Sequence, residues 1–94
     1  PGGLGGAARM REPAPILAAL GRALRARRAG RAWTLEEAAR AAGLSVGYLS
    51  MVELGRNAIS LPRLARLAAA LQVRLPDLFA QAETGLSPEE TPNP

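Results

Sequence analysis

The chain has 94 residues, enough for one compact domain. It contains neither Cys nor His. That excludes disulfides, thiolate metal sites, His-dependent nucleophilic triads and most metal-ligand clusters, and leaves an enzymatic function without groups to carry it. All twelve basic residues are Arg, and against eight acids they give a formal +4 at pH 7.

The charge is regional. Residues 13–82 hold ten Arg against four acids, formally +6, while residues 83–94 carry only acids. A basic domain with a short acidic tail suits a polyanionic partner, although the same Arg residues also serve as ordinary solvated surface. Apolar residues make up 48% of the chain and aromatics 3%. The core is therefore built from Leu and Ala, a composition that favours helix over strand. No apolar run is long enough to span a bilayer and no signal peptide is visible, so the chain reads as cytoplasmic. No metal, cofactor or small-molecule effector is indicated.

Residues 1–13 are Gly-rich and carry no period, which predicts a flexible N-terminal segment. The chain opens on Pro1, and Met10 is a candidate native start. A first helix is expected from Pro15, a residue suited to the first helical position. Its apolar stripe is Leu17, Leu20 and Leu24, and Gly30 is the expected stop. A second helix starts after Thr34, with Glu37 three residues on, the spacing of a capping box. Its inner residues Ala38, Ala39 and Ala42 are small enough for close helix approach, and Gly43 stops it. A third helix is capped by Ser45, turns Leu49 and Val52 inward and stops at Gly55. A fourth is capped by Ser60, with Leu61, Leu64, Leu67, Ala68 and Leu71 on one side. A fifth, short helix is expected from Pro76 to about Gln81, anchored by Leu78 and Phe79. Residues 83–94, rich in Pro and Glu, are expected to form a flexible tail. The domain is thus placed at 14–82, an all-α bundle of five helices.

Helices two and three are joined by Gly43-Leu44-Ser45. So short a turn sets them at a steep angle, as in a helix-turn-helix or in an ordinary corner of a helical bundle. More residues narrow the choice. Leu20-Gly-Arg-Ala-Leu24, Arg28, Thr34-Leu-Glu-Glu-Ala-Ala39, Gly43-Leu-Ser45, Tyr48-Leu-Ser-Met-Val-Glu53, Gly55-Arg56 and Ser60-Leu61 resemble the phage-repressor-like (Cro-type, XRE) helix-turn-helix family. The resemblance runs from about Leu20 to Phe79 without a register break. The stretch Arg56-Asn-Ala-Ile-Ser60-Leu also resembles restriction-modification controller proteins, which usually place the Asn next to the Ile; here Ala58 intervenes.

The resemblance implies the phage-repressor fold and double-stranded DNA as partner, with the helix Val46–Leu54 in the major groove of an operator bound by a homodimer. It implies an ion pair between Arg28 and Glu53, joining the first helix to the end of the third. Base edges would meet Val46, Gly47, Ser50 and Met51 on a helix opened by Ser45. Phosphates would meet Thr34 and Leu35 at the start of the second helix, and Arg56 and Asn57 after the third. Tyr48 is either a phosphate contact or a half-buried packing residue.

Two departures matter. A Gln that often grips phosphate is Leu35 here, and the often polar reading positions are Val46, Gly47 and Met51. Bidentate base contacts need Arg, Lys, Asn or Gln, and none stands on that face. Affinity is therefore expected to come mostly from backbone charge and DNA shape. The leading reading is a transcriptional regulator, a repressor. The alternative is a protein-interaction module, such as an antitoxin or a fragment of a larger regulator, that keeps the fold with weak DNA binding. Leu75, Leu78 and Phe79 are either a dimer surface or the closing layer of the monomer's core.

Overall fold

A computed structural model describes residues 14–86. The expected flexible segment 1–13 and the tail beyond residue 86 lie outside the described residues. Within them run five helices: α1 (Pro15–Gly30), α2 (Leu35–Ala42), α3 (Val46–Glu53), α4 (Leu61–Ala70) and α5 (Leu75–Thr84). No strand is present among the described residues.

Each start follows from local chemistry. α1 begins on Pro15, whose missing N–H costs nothing where no helical acceptor exists. Thr34, Ser45 and Ser60 each accept a hydrogen bond from the backbone N–H three residues on. At Thr34 the box is complete: Glu37 N–H donates to the hydroxyl at 3.1 Å, and Thr34 N–H donates to Glu37 Oε1 at 2.9 Å.

The ends of α1 to α4 share one device. The N–H groups of Trp33, Leu44, Arg56 and Val73 each reach back five residues, to the carbonyls of Arg28, Ala39, Met51 and Ala68. This closure puts the preceding residue in the left-handed region. Gly43 and Gly55 serve α2 and α3, but Ala32 and Gln72, both at φ 57°, serve α1 and α4. Gly30 is therefore not the left-handed stop; it is the last residue of the helix proper.

The core is Leu and Ala, joined by Val52 and Val73. Leu24, Leu49, Leu64, Leu67 and Leu78 are its largest fully buried side chains, each stabilising the fold by about 1.5–3 kcal/mol over an exposed position. α2 adds only Ala38, Ala39 and Ala42, and this slim face lets it lie close against α3 and α4. α1 packs on α5 and on α3. Arg27 Nε donates to Gln81 Oε1 at 2.7 Å and Arg31 to Gln72 Oε1 at 3.0 Å, so α1 and α5 run antiparallel.

Three expectations are corrected. Leu61 does not join the inward stripe of α4: as the first helical residue it stands 67% exposed. Phe79 is 39% exposed and anchors little, whereas its neighbour Leu78 is wholly buried and closes the core. α5 also begins at Leu75 and runs on to Thr84, past the expected boundary at residue 82, because Ala82 is buried in the core.

Candidate nucleic-acid interface

α3 is held by its two ends. At its start Ser45 Oγ accepts from Tyr48 N–H at 3.1 Å. At its end Glu53 accepts twice from Arg28, Nε to Oε2 at 2.7 Å and Nη2 to Oε1 at 2.9 Å, a bidentate pair. The Arg28 and Glu53 side chains are only 17% and 7% exposed. Arg28 also donates from Nη1 to the Trp33 carbonyl at 3.0 Å, so one guanidinium ties α1, the α1–α2 turn and α3 together. The hydrogen bond to Glu53 pushes the Arg28 pKa up, against the opposing effect of burial.

Backbone fit reinforces this joint. Gly21, in the middle of α1, faces the last turn of α3. A Cβ there would stand 2.6 Å from the Val52 carbonyl oxygen and closer still to that of Glu53. Gly55 presses on the other side of the joint, where a Cβ would come within 2.6 Å of Ala18 Cα. Its φ of 74° makes Gly the fitting residue on both counts. α1 thus carries a shallow seat, Ala18 and Gly21, for the end of α3.

With Leu49 and Val52 buried, the opposite face of α3 is free. It carries Val46, Gly47, Ser50, Met51 and Leu54 at the i, i+1, i+4, i+5, i+8 spacing of one helical face. Val46 is 37% and Leu54 56% exposed. Leu54 is not among the contact residues the resemblance implies, although its spacing of four from Ser50 points to the same face.

The two flanks of this face differ. Ser50 and Tyr48 project about 160° apart around the helix, at 3.6 residues per turn. On the Ser50 side a shallow depression is lined by Arg25, Arg28, Leu35, Ser50, Glu53 and Leu54. The adjoining first turn of α2 bears Glu36 and Glu37, and the N–H of Thr34 is already engaged by Glu37. Two carboxylates and an occupied donor make this a poor anion site despite the helix start.

On the other flank the Tyr48 hydroxyl donates to the Ala58 carbonyl at a long 3.3 Å. The ring is half-buried against the core. The loop it touches carries Arg56 and Asn57, both exposed. The Arg63 guanidinium lies over the Tyr48 ring, 5.4 Å from its centroid. Sequence reasoning counted Arg63 only in the overall charge, and fifteen residues of separation give no local signal that would pair it with Tyr48.

This geometry, a capped second helix, a left-handed turn at Gly43 and a third helix with one face bare, is matched by a helix-turn-helix family model over residues 24–78. The chain belongs to the phage-repressor-like (XRE-type) helix-turn-helix family. It is similar to two crystal structures of the clp gene regulator ClgR from Corynebacterium glutamicum. One shares 39% identity at a TM-score of 0.75, covering 77% of this chain and 92% of that one. The other shares 42% at 0.70, covering 71% of each. Curated proteins give no match. The family makes this chain a DNA-binding transcriptional regulator. No described helix is long and apolar enough to cross a membrane.

Proposed function

We propose that the protein regulates transcription by laying α3 in the major groove of an operator and holding it there mainly through phosphate contacts and DNA shape. The observation that carries this reading is the free face of α3. Ser50 is the one side chain on it that can hydrogen-bond, while Val46, Met51 and Leu54 offer apolar contact to thymine methyls and Gly47 permits close backbone approach. The loop residues Arg56 and Asn57 contact phosphates, and the start of α2 at Thr34 and Leu35 contributes less because of its acids. Ser45 caps the helix entering the groove, and Tyr48 braces the Arg56–Asn57 loop from α3.

The regulator acts as a homodimer on half-sites about one helical turn apart, the spacing that two recognition helices on one face of the duplex demand. Phe79, exposed beside the buried Leu78, belongs to the surface on which a second copy would pack. Occupancy of a promoter-overlapping operator is sufficient for repression. The likeness to ClgR, described as a regulator of clp genes, makes clp genes the first targets to test.

Selection of bound duplexes from a random pool tests this directly. The expected outcome is a short, degenerate, palindromic consensus with one-turn spacing. A single unpaired site would overturn the dimer. A pool from which nothing is enriched or retained would favour the protein-interaction module, for which the apolar face of α3 would then be the docking surface.

A further inference from the structure

The interface described above has an acidic flank and a basic one, and the basic flank is organised around a single ring. Tyr48 leaves α3 toward α4, its hydroxyl bonded to the Ala58 carbonyl and its face covered by the Arg63 guanidinium. A ring face takes up none of the in-plane N–H donors of a guanidinium above it, so they remain available to an anion. At 5.4 Å the contact is within the range of a cation–π attraction, which limits the wandering of a long side chain without neutralising its charge. Arg63 is exposed, and among the described residues the only ion pair is that of Arg28 with Glu53. Arg22, Arg27 and Arg31, by contrast, are engaged in holding α1 to α5 and its neighbouring turn.

We propose that Arg63, positioned by the Tyr48 ring, is a phosphate-binding residue of the DNA interface, clamping the strand that borders α3 on its α4 side. The proposal rests on the DNA-binding reading and deepens it. Phosphate contact is weakened on the α2 side, where Leu35, Glu36 and Glu37 stand, and a cation from α4 compensates across the groove. Tyr48 is the positioning residue: one ring aligns both Arg63 and the loop bearing Arg56 and Asn57.

The test is equilibrium titration of a mixed-sequence duplex of about 20 base pairs, two helical turns, over a range of salt concentrations. Arg63→Ala is expected to lower the magnitude of the slope of log K against log salt by about 0.9 per bound protomer, about 1.8 for the dimer, the value for one lost phosphate contact in each copy, at an unchanged melting temperature. It should weaken binding equally on selected and arbitrary duplexes. Arg63→Lys restores the slope. Tyr48→Phe keeps the ring under Arg63, so Arg63→Ala lowers the slope as much in that background as in the wild type. Tyr48→Leu weakens binding, and in that background Arg63→Ala costs less than in the wild type. A wild-type slope in Arg63→Ala overturns the proposal while leaving DNA binding intact. Absence of any salt-dependent duplex binding by the wild-type protein overturns the DNA reading itself.

Discussion

Glu53 sits at the joint of α1 and α3 with both carboxylate oxygens bonded to Arg28 and 7% of its side chain exposed. Removing one member of such a pair leaves the other charge part-buried and unmatched. Glu53→Ala should therefore cost roughly 3 kcal/mol, the lower end for buried pairs, and lower the melting temperature by more than about 10 °C in a domain of this size. An unchanged melting temperature would show the pair to be merely solvated. Gly21 makes the opposite kind of test, because propensity and packing disagree. Alanine in a helix interior is about 1 kcal/mol better than glycine, yet here its methyl would collide with the carbonyl oxygens of Val52 and Glu53. Those atoms belong to α3 and cannot swing aside, so Gly21→Ala should destabilise by about 1–3 kcal/mol, as overpacking does. Gly30→Ala, where nothing lies within 4 Å, should stabilise instead. A stabilising shift in Gly21→Ala, read from urea midpoints, would contradict the seat.

Among the elements, α2 depends on its cap. The bond from Thr34 N–H, followed by the Thr34 hydroxyl, holds the Glu37 carboxyl below its ordinary value of 4.5. A carboxyl depressed in the folded state stabilises fully above its unfolded pKa and loses that contribution as the pH falls through the folded one. The stability gap between wild type and Glu37→Ala should thus be present at neutral pH and shrink as the pH drops below 4.5. A gap constant from neutral to strongly acid solution would mean that the carboxylate does not carry the cap. α1 offers a gain: Ala32 holds φ 57° at its end, a conformation that costs an L-residue roughly 1 kcal/mol. Ala32→Gly should raise the melting temperature by a few degrees, and a fall would place the strain elsewhere. These elements also show what the sequence makes legible. Thr34 with Glu37, Ser45, Ser60, Gly43 and Gly55 are local signals with local causes, and they mark the helix-turn-helix to within a residue. Ala32 and Gln72 carry no such signal, because only the closure of the whole helix end puts them in the left-handed region. The extension of α5 to Thr84 depends on burial of Ala82 against the rest of the bundle, a contact that periodicity over so short a stretch does not reveal.

At the scale of the whole molecule, the recognition face and the charge point to different contributions. The face of α3 was readable in advance as poor in polar groups, and the structure leaves Val46, Met51 and Leu54 on it without adding a donor beyond Ser50. What was not legible is the asymmetry of its flanks. That arises from Arg63 and Tyr48 meeting across fifteen residues, and from Glu37 occupying the Thr34 N–H. Such a surface can hold a duplex firmly while discriminating weakly among sequences. The most direct test is to titrate the protein with its best selected duplex and with a scrambled one, each across a range of salt concentrations. Parallel, steep salt slopes for the two duplexes and a small ratio of affinities between them are expected. Salt-insensitive binding, or a selected site in which single base changes each abolish binding, would contradict that expectation.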